Sequence, residues 1–341
     1  MVARDGTGAG PGDGCAADGG DRQTVSPAPG VRRIGPEVGP TPLVFASPHS
    51  GDLYPDDLYA DPDLPQASLR SAEDALIDRI AAPAAASIGT PLLCGLFGRA
   101  YVDLNRAPDD LDPLAIEGLE VPEPGPRARA GYGVIPRLTG DGRPLRTAPL
   151  PPELARARLD GPHAAYHAEL ERLMVSARQR FGCAVLVDWH SMPGRAVGGS
   201  GVRPLDVVLG DRHGRACDPA LVRRARAVLE RSGWRVGLNR PYAGGWSTER
   251  WGRPEEGLHA LQVEINRDLY LAPDLSPGPG FGRVAAVAVA LAGALAKALA
   301  DGAAGARVAA QKKPRPEARH EKFIGRKRPG RAGRPEASRE N

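Results

Sequence analysis

The side chains best suited to act together stand at four places with one local pattern, a short apolar run that ends in polar residues. In A-V-L-V-D-W-H-S-M-P-G (184–194) the run Ala184–Val187 gives way to Asp188 and His190 before Pro193-Gly194 turns the chain. Side chains two apart on a strand point the same way, so this carboxylate and imidazole share a face. L-V-F-A-S-P-H-S-G-D (43–52) carries His49 and Asp52 past a second such run. In R-A-Y-V-D-L-N-R (99–106), alternation predicts Tyr101, Asp103 and Asn105 on one face, with Arg99 and Arg106 at the ends. In H-A-L-Q-V-E-I-N-R-D-L-Y (259–270), Glu264 sits in a run so apolar that it needs a partner or a task. Two histidines and a carboxylate can hold a zinc ion with a position open to water, and a further Glu can serve as general base. Those are the ingredients of metal-assisted amide hydrolysis. The chain has no G-x-S-x-G, P-loop or G-x-G-x-x-G, which argues against serine-hydrolase, kinase and dehydrogenase chemistry.

These groups need elements to position them. Leu43–Ala46, Thr90–Leu96, Ala184–Val187, Leu205–Gly210 and the run around Leu261–Ile265 read as strands. Helices are expected from Ser71, with Glu73 and Asp74 in the first turn, and over Glu153–Phe181 with a break near Gly161-Pro162. Two more are expected, from the Asp218-Pro219 start to Gly233 and over about Phe281–Ala300. Alternating strands and helices predict an α/β fold, a mixed, mostly parallel central sheet with helices on both faces. Ligands bind beyond the carboxyl ends of the strands in such sheets. His163 and His167 lie four apart in H-A-A-Y-H, which lacks the glutamate of the zinc-protease helix, so His163 reads as packing.

Composition bounds the rest. At 341 residues one α/β domain is expected over 39–303, between a Gly- and Asp-rich arm (1–38) and a basic tail (304–341), both without a core-forming pattern. Residues 109–152 are dense in Pro, Gly and Arg and read as a lid-like insertion. The net charge of +4 is concentrated in the tail, so a nucleic-acid surface on the body is not expected. Cys15, Cys94, Cys183 and Cys217 are scattered, as reduced thiols of a cytoplasmic protein are. Met1–Gly20 lacks a signal-like apolar stretch, and the run Val284–Ala296 is shorter than the ~18 residues a membrane span needs. It reads as a core helix, and the oligomeric state is not legible.

Taken together, S-P-H-S-G (47–51), R-A-Y-V-D-L-N-R (99–106), G-Y-G-V-I-P-R (131–137), D-W-H-S-M-P (188–193), D-V-V-L-G-D (206–211) and L-Q-V-E-I-N-R-D-L-Y (261–270) resemble the N-formylglutamate amidohydrolase family. The resemblance spans roughly residues 40–300, and more distantly the chain looks zinc-carboxypeptidase-like and aspartoacylase-like. It implies a small-molecule N-acyl amino acid as substrate, release of formate from N-formylglutamate, and a place in histidine degradation. It implies zinc, or another divalent metal, held by His49, His190 and either Asp74 or Asp52, with Glu264 as general base. Asp188 would orient His190, Asp103 would support the site, and Arg99 would stabilise the oxyanion. Asn105 and Arg106 fall where a substrate carboxylate is held, and His167, Arg137 and Thr248 are expected to reach the substrate. The alternatives are the same chemistry on another N-acyl amino acid or short peptide, a non-catalytic zinc-binding relative, and an RNA role for the tail.

Overall fold

A computed structural model of the chain describes residues 30–198 and 203–312. The chain divides into two compact units between Asp301 and Gly302, and the sheet lies in the first. The strands are β1 (Val31–Ile34), β2 (Leu43–Ser47), β3 (Leu92–Gly95), β4 (Ala184–Met192), β5 (Val207–Gly210), β6 (Val236–Leu238) and β7 (Leu258–Asn266). The helices are α1 (Gln66–Leu69), α2 (Ile77–Ile88), α3 (Pro126–Arg129), α4 (Pro152–Arg158), α5 (Ala164–Phe181), α6 (Pro219–Arg231), α7 (Trp246–Trp251) and α8 (Phe281–Lys312).

The strands form one sheet in the order β1-β3-β2-β4-β7-β5-β6. The centre, β3-β2-β4-β7, is parallel, as is β5-β6, while β1 and β5 run antiparallel to β3 and β7. Period-2 alternation sends each central strand's side chains into two cores, as both-face burial requires. Leu43, Phe45, Val185, Val187, Trp189, Leu261, Val263 and Ile265 pack with α2, α6 and α8. Val44, Ala46, Ala184, Leu186, Leu258 and Ala260 pack on the opposite face with α5. Helix ends follow local chemistry: Asp218 accepts from Ala220 N at 2.6 Å to cap α6, while Gly89 and Gly182 close α2 and α5 at φ +63° and +78°.

Several expectations are corrected. The strand β1 lies inside the span read as an N-terminal arm, because Val31 is buried and pairs with Gly95. Residues 1–29 of that arm lie outside the described residues. The basic tail is expected from 304, yet the backbone of α8 continues to Lys312; the remainder is likewise outside them. The first part of α8, Phe281–Gly302, spans 22 residues with a mean hydropathy of 1.8, enough by length and composition to cross a membrane, unlike the shorter run read from sequence. Val284, Ala288, Leu291, Ala292 and Leu295 nevertheless bury against the sheet. The break at Gly161-Pro162 is a π-helical turn, Leu159–His163, through which α4 continues into α5. The insertion at 109–152 has few regular elements, but Ile116, Val134, Ile135, Leu145 and Leu150 join the α5-side core.

The stretch 99–106 is turn-rich and does not join the sheet. Its carbonyls are held by side chains from the helical layer instead of by a neighbouring strand. Arg158 Nη1 donates to Tyr101 O at 3.1 Å, and the Nε2 atoms of His167 and His163 meet Leu104 O and Arg106 O at 2.9 and 3.0 Å.

Candidate metal centre

On the α5-side face, apolar residues give way to polar ones as the central strands reach their carboxyl ends. Ala184 and Leu186 are followed on that face by Asp188 and His190, and Leu258 and Ala260 by Gln262 and Glu264. The parallel register sets Asp188 beside Gln262 and His190 beside Glu264. His49 stands in the turn after β2. Asp74 stands before α2 rather than in its first turn, which begins at Ile77. Its backbone N–H donates to His49 O at 2.9 Å, tying the two residues together.

The structure brings His49, Asp74 and His190 into one buried group whose ligand atoms all lie within 4.8 Å of one another. Asp74 Oδ2 is 2.9 Å from His190 Nδ1 and 3.4 Å from His49 Nδ1. Donors ~2.0–2.2 Å from a tetrahedral ion stand roughly 3.3–3.5 Å apart, so the His49–Asp74 edge is already of that length. Each histidine is backed by a carboxylate on its far nitrogen: His49 Nε2 lies 2.7 Å from Asp103 Oδ1, and His190 Nε2 lies 3.0 Å from Asp188 Oδ2. Those contacts fix the tautomer that turns Nδ1 inward. His49 Nδ1 is buried without a hydrogen-bond partner, as a ligand nitrogen would be. The donor set therefore fits a divalent metal.

Electrostatics agree. Burial alone would raise the Asp74 carboxyl, yet His190 and His49 hold it well below the usual carboxylate range. Burial would lower the His190 imidazole, but Asp188 and Asp74 raise it well above its ordinary value. The position between them thus favours positive charge, and a metal would compete with a proton for it. Burial, reinforced by the charge of Asp74, pushes Glu264 up to about 8 against the opposing pull of His190, Arg99 and Arg267. Gln262 Nε2 donates to Glu264 Oε1 at 2.7 Å and leaves the other oxygen to the cavity. Asp103 is kept ionised despite burial by Arg99, His49 and Arg106, with Arg99 Nε donating to Asp103 Oδ2 at 2.9 Å.

A cavity of about 380 Å³ opens over this group, lined by His49, Asp74, Arg99, Asp103, Asn105, Arg106, His190 and Glu264, among others. Asp188 lies behind His190, wholly buried. Other residues named from sequence are placed elsewhere. Asp52 is exposed and borders a separate cavity, because the chain past Gly51 runs out to bridge Phe97 at Leu53. Arg137 donates to Asp112 Oδ2 at 2.7 Å and faces away, while its neighbours Pro136 and Leu138 line the site. His167 sits beneath the 104–106 turn with its ring 4.3 Å from that of Trp246. Thr248 is wholly buried in α7, directly under Gly244. Asn105 does line the cavity, but its carboxamide is engaged: Oδ1 accepts from Ser247 N at 2.9 Å and Nδ2 lies 3.1 Å from His190 Nε2. Tyr101 parts from Asp103 and Asn105 and donates to Asp57 Oδ2 at 3.0 Å.

Sequence reasoning missed Arg267 and Ser191. Arg267 Nη2 and Ser191 Oγ donate to Asp74 Oδ1 at 3.2 and 2.9 Å, and Arg267 Nε donates to Ser191 Oγ at 2.9 Å. Both stand one residue beyond a named site residue or strand end, in stretches where period-2 reasoning looks only at alternate positions. Arg127, Arg195 and Tyr242 also line the cavity, and no local pattern singled them out, whereas Tyr132, which lines it too, stands in the G-Y-G-V-I-P-R motif.

Fold and site together define a class, an α/β protein with a buried His–Asp–His group and an adjacent carboxylate beyond the carboxyl ends of parallel strands. Residues 41–271 match the family model described as N-formylglutamate amidohydrolase, and the chain belongs to that family. It is similar to an N-formylglutamate deformylase of Pseudomonas putida, 30% identical over 236 residues, which cover 68% of this chain and 83% of that protein. Similarity to the N-formylglutamate deformylase of Pseudomonas aeruginosa PAO1 is 33% over 190 residues, 55% of this chain and 66% of that one. The crystal structure of N-formylglutamate amidohydrolase from Ralstonia eutropha JMP134 superposes with a TM-score of 0.74 at 34% identity, covering 80% of this chain and 99% of that chain.

Proposed function

We propose that this protein hydrolyses the formyl amide of N-formyl-L-glutamate to formate and L-glutamate, with zinc held by His49, Asp74 and His190. The observation that carries the reading is the meeting of this donor set with Glu264 and several arginines in one cavity, in a chain whose relatives are N-formylglutamate deformylases. When bound, the metal would polarise the formyl oxygen and lower the pKa of a bound water towards ~7. The residues supply the rest. Burial pushes Glu264 up to about 8, and the charge of a metal held beside it would draw it back down, leaving a carboxylate that takes a proton from the water that attacks the formyl carbon. It then passes that proton to the amide nitrogen as the C–N bond breaks, so water and formamide become formate and a free amine. Arg99, anchored by Asp103, presents its guanidinium to the oxygen on which negative charge develops. Arg106 holds a substrate carboxylate, and Asn105 serves by tying Asp188, the carboxylate behind His190, to the start of α7.

The direct test is formate release from N-formyl-L-glutamate by purified protein, after chelation and after zinc is restored. Release that disappears with chelation and returns with zinc is expected. Release unaffected by thorough metal removal would overturn the metal assignment, and no release in any metal state would overturn the substrate.

A further inference from the structure

The charges around the cavity do not cancel. Arg99 pairs with Asp103 at 2.9 Å and Arg267 with Asp74 at 3.2 Å. Arg106 lies 3.7 Å from Asp103 and donates to the Tyr132 carbonyl at 3.0 Å. Arg127 and Arg195 line the same cavity, and among the described residues neither has an ion pair or a side-chain hydrogen bond; of the two, Arg127 is the one whose charge acts on Arg106. The position of Arg127 is nonetheless built. Ala128 is fully buried and seats the single turn α3, so Arg127 and Arg129 flank that anchor on the outside. Arg127 O accepts from Tyr132 N at 2.9 Å, and Tyr132 O in turn accepts from Arg106 Nε. The Tyr132 backbone thus ties the main chain at Arg127 to the Arg106 guanidinium. Burial lowers the Arg106 pKa, and the charges of Arg99 and Arg127 press it down further, so these cations are near enough to repel. An anion between them would relieve that repulsion, and a guanidinium suits a carboxylate in shape and charge.

We propose that Arg127 is the specificity-determining residue of this site, pairing with the side-chain carboxylate of an N-acyl amino dicarboxylate while the deeper Arg106 holds the α-carboxylate beside the amide. This rests on the function proposed above. Arg106 is the more buried, at 15% side-chain exposure, and lies nearer the His49–Asp103 group. Arg127 is exposed at the rim, where the far end of an elongated substrate would arrive.

The test compares N-formyl-L-glutamate with N-formyl-L-glutamine, which has the same shape and a neutral side chain, in wild type, Arg127→Met and Arg127→Lys. Wild type is expected to prefer the glutamate compound. Arg127→Met should lose about tenfold or more in kcat/KM on it, mainly through KM, while changing by less than about threefold on the glutamine compound. Arg127→Lys should fall between. Equal losses on both substrates, or a preference that survives in Arg127→Met, would overturn the assignment. Calorimetric binding of L-glutamate and L-glutamine to the same zinc-loaded proteins provides an arm without turnover. A preference for L-glutamate that vanishes in Arg127→Met supports Arg127 even if neither formyl compound is cleaved, an outcome that would sink the hydrolytic reading instead. No preference in wild type would overturn the role of Arg127.

Discussion

Asp74 and Asp52 are equal choices for the third metal ligand from sequence, and exchanging each for asparagine separates them. Asp74 is 1% exposed, and both its oxygens are engaged, Oδ2 with the two histidines and Oδ1 with Ser191 and Arg267. Asp74→Asn keeps the shape but removes the charge. It also turns an NH₂ group either towards the inward-facing imidazole nitrogens or towards the Arg267 guanidinium. Breaking a buried charge constellation from one side costs about 3–5 kcal/mol. At about 1.4 kcal/mol per factor of ten, even the lower end weakens zinc binding more than about 100-fold. Asp52 is exposed and borders a different cavity, so Asp52→Asn should stay within about twofold of wild type, as surface exchanges away from a site do. The assay is zinc affinity by competition with a chromophoric chelator, backed by metal content after dialysis. Circular dichroism would establish that each variant is folded at the assay temperature. Wild-type zinc affinity in folded Asp74→Asn, or a 100-fold loss in Asp52→Asn, would refute the assignment.

Three further outcomes are expected. Glu264→Gln retains a partner for Gln262 but cannot take a proton, so kcat should fall about 10²- to 10⁴-fold with zinc content unchanged; a kcat within tenfold of wild type would remove Glu264 as the base. At Gly245 an added Cβ would collide with the Asn105 carboxamide, so Gly245→Ala should cost about 1–3 kcal/mol in urea unfolding and reduce turnover. Wild-type values for both would show that Asn105 does not tie the Asp188 carboxylate behind His190 to α7. His167 is held well below its ordinary pKa by burial and by the charge of His163, and its Nδ1 has no partner, so the folded protein keeps this ring neutral. The unfolded chain therefore binds the extra proton, and the contribution is present above the unfolded pKa of ~6.5 and lost as pH falls below it, by up to about 1.4 kcal/mol per pH unit. Urea unfolding between pH 7 and 5.5 should show a shallower slope for His167→Gln than for wild type, and equal slopes would refute the argument.

How much of this was legible in the sequence depended on which contacts decide each element. The apolar runs of β2, β4 and β7 were readable because burial on both faces leaves a continuous hydrophobic signature, and their polar ends were readable because a carboxylate there needs a reason. The edge strands β1 and β6 were not, because V-R-R-I and V-G-L are too short to show a period and owe their form to pairing with β3 and β5. Local alternation also misjudged 99–106. Asp103 and Asn105 do converge on the site, but through an Asx turn in which Asn105 N donates to Asp103 Oδ1 at 2.9 Å, with Arg158, His163 and His167 holding the carbonyls. These three side chains come from about 57 to 63 positions along the chain. The same reason explains why His167 lies under the turn and not in the cavity. In H-A-A-Y-H the helical spacing was visible, whereas the bonding partners of the two rings were not, since both are backbone carbonyls, which carry no mark in a sequence. Arg267 completes the point. Its guanidinium joins Asp74 and the Ser71 carbonyl of one segment to Ser191 at the end of β4, so only the folded chain could reveal that it braces the carboxylate around which the two histidines gather.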